Sequence, residues 1–267
     1  MTAARATGQR YRAVLTGASG GIGAALARAL APQAELLVLV GRRREHLEAL
    51  AASLAGCRVE IVCGDLCEPG TVAAVAQAAR AAGGIDLLVN NAGVSNFHSF
   101  ETQSAAAIRQ LIDTNLVAPM LLTRELLPLL HQAPAAQVVN IGSVFGALGF
   151  PGFAAYGAAK AGLAGFSQAL RRELSDTSVT VRHFAPRATR TAINSAAVDA
   201  MNRELRTAED TPEAVAAAFM DFLAGKAWQR TLGAKERFFV LVNKLLPGLP
   251  DNAIRKQLVQ IRKHLPR

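Results

Sequence analysis

Nothing in the 267 residues forms an apolar run of the ~20 residues needed to cross a bilayer. The stretch 1–12 is polar and basic and lacks an apolar core, so a secretory leader is not expected and the expected location is cytoplasmic. Cysteine is scarce. The three that occur, Cys57, Cys63 and Cys67, crowd one region with no histidine beside them. An odd, His-free set argues against both a disulfide framework and a zinc site. The expectation is buried free thiols and no metal. Internal repeats and low-complexity linkers are also missing. Acidic residues nearly vanish at one end. From Lys226 onward ten Lys/Arg face only Glu236 and Asp251, a balance of +8, whereas residues 1–225 carry 19 basic and 18 acidic side chains, a balance of +1. A charge confined to the tail, with no binding motif, gives no reason to expect a nucleic-acid partner.

What is present is an alternation. Hydrophobic residues make up 51% of the chain, enough for a sizeable core. Short apolar runs at 12–16, 35–40, 58–62, 85–90, 137–141 and 179–184 suit strands buried on both faces of a parallel sheet. Ala-rich periodic segments near 21–31, 43–55, 69–82, 101–131 and 154–175 read as helices between them. Strand and helix in turn imply an α/β fold: a single Rossmann-type, doubly wound parallel sheet with helices on both faces. That unit is expected over 1–225, followed by a helical extension over 226–267.

The first strand runs into Thr16-Gly17-Ala18-Ser19-Gly20-Gly21-Ile22-Gly23 at the start of a helical pattern. Glycines there let the backbone turn tightly and approach a pyrophosphate, which a helix N-terminus attracts. Ser19, Gly20 and Ile22 belong to the same candidate turn. The second strand ends at Val40-Gly41-Arg42-Arg43 with no carboxylate for a ribose diol. Arginines pair with a 2′-phosphate, so NADP(H) is expected over NAD(H). Asp65, with Leu66 beside it, closes the third strand and either accepts from an adenine amino group or caps its own turn. Asn90-Asn91-Ala92-Gly93 closes the fourth and leaves room beside the backbone. Ser143 closes the fifth. Tyr156 and Lys160 share a helix face, so a phenol and an ammonium meet, and a nearby cation eases deprotonation of a phenol.

Together Thr16-Gly17-x3-Gly21-x-Gly23, Asn90-Asn91-Ala92-Gly93, Asn115, Ser143 and Tyr156-x3-Lys160 strongly resemble the short-chain dehydrogenase/reductase family over roughly residues 10–225. The resemblance implies that Tyr156 protonates the substrate oxygen, Ser143 orients it, Lys160 holds the nicotinamide ribose and favours phenolate, and Asn115 supports a water in a proton relay. It also implies that Pro186 and Thr191 border the cofactor, Thr191 at its carboxamide, and that Arg187 stands where the family usually has glycine. Arg187 then meets an anionic group or lies in solvent. The stretch 192–206 is expected to cover the substrate, and a homodimer or homotetramer is expected through 101–131 and 154–175. Phe97, His98, Phe145, Leu148, Phe150 and Phe153 are candidate pocket walls, which favour an apolar substrate, free or bound to a carrier. His98 reads more simply as a loop residue.

The tail offers 228–233 as a weak seventh strand and helices over 236–246 and 251–265, the second capped by Asp251. Ile254, Leu258, Ile261 and Leu265 form one apolar stripe among basic residues. The stripe covers the parent domain or a sister subunit, docks on the inner face of a membrane, or binds an acidic acyl carrier protein. The functional expectation is interconversion of a carbonyl and a secondary alcohol. The rival is an NADP-binding scaffold or sensor that works through the tail without turnover.

Overall fold

The computed structural model describes residues 10–266. Seven parallel strands form one sheet in the order β3-β2-β1-β4-β5-β6-β7. They are β1 Tyr11–Thr16, β2 Ala34–Gly41, β3 Arg58–Cys63, β4 Leu87–Asn90, β5 Ala136–Ile141, β6 Val179–Ala185 and β7 Gln229–Thr231. The helices are α1 Gly21–Leu30, α2 Arg44–Ser53, α3 Pro69–Ala81, α4 Ala105–Ile112, α5 Ala118–Leu130, α6 Ala154–Glu173, α7 Ala196–Glu204, α8 Pro212–Ala224, α9 Ala234–Leu245 and α10 Gly248–His264.

Alternation along each strand sorts the core into two layers. Ala13, Leu15, Leu37 and Leu39 point to the face covered by Leu26 and Leu30 of α1 and Phe219 and Phe222 of α8. Val14, Val38 and Val40 point to the other face, covered by α3, α5 and α6. A strand buried on both faces must be apolar throughout, which is why these runs stand out in the sequence. The sheet order reverses direction between β1 and β4. In an open α/β sheet that is where a crevice forms, outside the carboxyl ends of the strands.

Several expectations need correction. The segment 101–131 is not one helix. Ser104 caps α4 by accepting from Ala107 N at 3.1 Å, and a π-helical turn over Asp113–Val117 separates α4 from α5. Periodicity over four turns does not register one inserted residue. The thiols are not buried: Cys57 and Cys63 are half-buried and Cys67 is exposed. The strand β7 does form, so the sheet continues past residue 225. Asp251 is not a cap. The helix α10 begins earlier, at Gly248, and Asp251 lies in its first turn.

Candidate active site

The glycine turn follows β1 directly. Gly17 adopts a positive φ of +64°, and a Cβ there would come within 2.8 Å of Ala92 Cα, so only glycine fits between β1 and β4. Thr16 and Asn91 lock this junction. Thr16 Oγ1 accepts from the N–H groups of Asn91 and Ala92, both at 2.9 Å, and Asn91 Nδ2 donates to Thr16 O at 2.9 Å. Thr16 thus has a structural part that motif reading did not assign. The first turn of α1 has no acidic residue and no side-chain cap, so its N–H groups remain available to an anion.

The four side chains expected to carry the chemistry come together. Ser143 ends β5 and accepts from Phe145 N at 3.2 Å, which holds its hydroxyl at the strand end. Its hydroxyl lies near enough to the Tyr156 phenol to lower that group's value. Lys160, 5% exposed, donates from Nζ to Ile141 O at 3.0 Å and lies 5.9 Å from the centre of the Tyr156 ring. Asn115 sits in the π turn, fully buried, and its Nδ2 donates to Val94 O and Leu111 O at 2.9 Å. A Cβ on Gly93 would lie 2.7 Å from Asn115 Oδ1 and 3.5 Å from Lys160 Nζ, so these groups crowd one point on the β4 end.

Burial pushes Tyr156 above its ordinary value, and the Ser143 hydroxyl pulls the other way. Burial brings Lys160 down to about 8. His183, on β6, was not singled out in the sequence. It is 3% exposed with neither ring nitrogen bonded, and burial, then the nearby Lys160 cation, lowers it to about 4.

Asn115, Ser143, Tyr156 and Lys160 line a cleft of about 380 Å³ together with Ile22, Asn91, Gly93, Pro186 and Thr191. Thr191 meets the glycine turn: a Cβ on Gly21 would lie 2.8 Å from its Cγ2. Its Oγ1 is buried with no partner, an orphaned polar atom on a residue that lines the cleft. The glycine cradle, the uncapped helix start and this orphan hydroxyl fit a nicotinamide dinucleotide. Arg42, Arg43, Asp65 and Leu66 lie apart, at the ends of β2 and β3. Both arginines are exposed. Arg43 donates to Ser19 O at 3.0 Å, and Arg42 is 3.9 Å from Asp65. Asp65 accepts from Cys67 N at 2.9 Å, the turn-capping alternative. Leu66 is a core residue.

Phe145, Leu148, Phe150 and Phe153 line the cleft as expected. Phe97 and His98 do not. Phe97 packs behind Phe153 at a ring separation of 5.0 Å, and His98 ties its backbone N–H to Gly152 O. Arg187 lines the cleft, with its side chain 25% exposed, and it is already paired. Its guanidinium forms a fork on Asp210, at 2.7 and 3.0 Å, and lies 3.7 Å from Glu236 of α9. Sequence reading missed Val198, Met201 and Phe239, which complete the apolar wall from α7 and α9. No local signal marks a wall residue that arrives from another element.

A sequence profile described as short chain dehydrogenase matches residues 12–202. Nodulation protein G of Rhizobium sp. (strain N33) is 40% identical over 198 residues, 74% of this chain and 79% of that protein. The 3-oxoacyl-(acyl-carrier-protein) reductase FabG of Escherichia coli (strain K12) is 33% identical over 175 residues, 65% of this chain and 71% of that protein. Among solved structures, a short-chain dehydrogenase from Sphingobium yanoikuyae in complex with NADPH superposes with a TM-score of 0.74 at 33% identity, covering 90% of this chain and 96% of that one. A short chain dehydrogenase/reductase from Burkholderia phymatum in complex with NAD superposes with a TM-score of 0.83 at 25% identity, covering 91% and 96%.

Proposed function

Because the chain belongs to the short-chain dehydrogenase/reductase family, oxidoreductases that work on C–OH and C=O with a nicotinamide cofactor, we propose that it reduces a ketone on an apolar, acyl-chain type of substrate with NADPH. The observation that carries this is the meeting of Ser143, Tyr156, Lys160 and Asn115 at the floor of an apolar cleft. The FabG relative, named for an acyl-carrier-bound substrate, supports the acyl-chain reading. Exposed Arg42 and Arg43 at the β2 end support a 2′-phosphate and hence NADP(H).

Gly17–Gly23, Asn91, Gly93 and Thr191 would hold the cofactor, which would supply a hydride. The chain's own groups manage charge and protons. A carbonyl oxygen that accepts hydride at carbon develops negative charge. Ser143 Oγ and the Tyr156 hydroxyl aim at that oxygen and stabilise it. The Tyr156 phenol gives up its proton to the new alkoxide. Lys160, close to neutrality's edge at about 8, resupplies that proton, and Asn115 frames the path behind it. The wall of Phe145, Phe150, Phe153 and Phe239 excludes water from the reacting carbon. The paired Arg187 offers no free cation to the substrate. Exposed Val117, Met120 and Leu121 on the π turn and α5 suit burial in a homo-oligomer.

The test is NADPH and NADH oxidation against a panel of aliphatic ketones and 3-oxoacyl thioesters. Tyr156→Phe lowers kcat by about 10²–10⁴-fold without weakening NADPH binding, since general-acid catalysis has that worth. Arg42→Ala with Arg43→Ala raises KM for NADPH and leaves that for NADH alone. Full turnover by the Phe variant on every active substrate refutes the assignment. No turnover by the wild type, with tight NADPH binding, favours the scaffold reading.

A further inference from the structure

The two tail helices meet the molecule in opposite ways. α10 turns its stripe inward: Ile261 is fully buried against Phe97, Phe153, Val198 and Met201, with Leu265 packed beside them. Of the alternatives open for this stripe, packing on the parent domain is the one taken up. α9 does the reverse. Its inner side is pinned by Glu236 near Arg187 and by Asn243, whose Nδ2 donates to Ala147 O at 3.0 Å. Residues seven apart share a helix face. On the opposite face Phe238, Leu241 and Leu245 stand at i, i+3 and i+7, and they are 62%, 54% and 70% exposed. At 100° per residue, Lys235 borders this stripe on one side and Arg237 and Lys244 border it on the other. Leu246 and Leu249, both exposed, prolong the apolar surface past the helix end.

Charge selects the occupant. Residues 226–267 carry ten Lys/Arg against Glu236 and Asp251, and Glu236 is half-buried beside Arg187. Two copies meeting through this surface would set Lys235, Arg237 and Lys244 of one against the same three cations of the other. An anionic surface is attracted instead, and a hydrocarbon phase beneath it receives the Phe/Leu stripe. An acidic carrier protein offers the charge without that phase. Among the described residues no helix is long and apolar enough to cross a membrane, so the contact is one of lying on the surface. We propose that α9 lies on an anionic lipid bilayer, with Phe238, Leu241 and Leu245 at the headgroup–acyl boundary and Lys235, Arg237 and Lys244 on lipid phosphates. Phe239, next to Phe238, lines the cleft, so the docked helix sets the cleft mouth near the bilayer. Delivery of a lipid-like ketone there rests on the function proposed above; the docking does not.

The test is co-sedimentation of the full chain with phosphatidylcholine vesicles, with and without phosphatidylglycerol, at low and high salt. The wild type partitions onto the anionic vesicles only, and salt weakens it. The variant Phe238→Ser/Leu241→Ser/Leu245→Ser loses at least about tenfold in partition, while its melting temperature is retained because all three side chains face solvent. Lys235→Gln/Arg237→Gln/Lys244→Gln loses about fivefold per charge on anionic vesicles. Point variants are used because removing the tail would strip Ile261 from behind the wall residues Phe153, Val198 and Met201. A wild type that stays in the supernatant overturns the proposal, as does unchanged partition of the triple serine variant. A lipid-free dimer dissolved by that variant assigns the stripe to a second copy and also overturns it. Binding to an acidic acyl carrier protein without binding to vesicles does the same. None of these readouts depends on turnover.

Discussion

Tyr156 and Lys160 stand four residues apart on α6, so the backbone alone puts them on one face. What the spacing does not carry is their solvation. Burial penalises whichever form is charged, so the phenol is pushed up and the ammonium comes down to about 8. His183 obeys the same rule. Its ring is enclosed by the sheet beneath Gly142, where a Cβ would run into the imidazole, and it is lowered to about 4. A depressed histidine is neutral in the fold while the unfolded chain, near 6.5, takes up a proton. Stability is therefore complete above about 6.5 and lost as pH falls toward 4, close to 2 kcal/mol by pH 5. His183→Asn removes this share of the acid sensitivity, read as the difference in urea midpoint between pH 7 and pH 5 for the variant and the wild type. An equal midpoint shift in both proteins contradicts it. None of this is legible in a motif, because a histidine inside an apolar strand looks the same in sequence whether or not it finds a partner.

At the scale of elements, the π turn between α4 and α5 is the least regular helical piece and holds one of the four site residues. An inserted residue in a helix turns a side chain out of register, and here it directs Asn115 to the β4 end. The side chain joins Val94 and Leu111, so it positions the loop after β4 as well as facing Lys160. Asn115→Ala leaves buried carbonyls without donors and costs about 2–4 kcal/mol of stability, together with a fall in kcat. Asn115→Asp, which keeps the oxygen but loses the donor, separates the two effects if thermal melts and kcat are measured together. Retained stability and kcat in the alanine variant rules this role out. The Asn115 motif was readable; the turn that aims it was not, since an Ala- and Leu-rich segment keeps a helical pattern through an insertion. Ser104 was the available signal that the helix starts late.

Over the whole molecule, the sheet order brings the ends of β1, β4 and β5 to one crevice, and the tail closes its far side. Ile261 packs behind the cleft wall, against Phe153, Val198 and Met201. Ile261→Ala opens space beside Phe97, Phe153 and Met201 and costs about 2–4 kcal/mol, the usual range for a buried aliphatic truncation. KM for an apolar substrate rises more than kcat falls, because the catalytic groups sit on β5 and α6, away from the change. An unchanged melting temperature and KM would falsify the view that α10 supports the pocket wall from behind. By itself the sequence determined the strands, their parallel sheet, the glycine turn and the polar residues of the crevice, because each follows from local periodicity or from short spacing on one element. Only the tertiary structure decided that Arg187 is claimed by Asp210 and Glu236, that α10 faces in and that α9 faces out. Those outcomes depend on partners 23 residues or more away in the chain, and an amphipathic pattern fixes which side of a helix is apolar without saying what that side will meet.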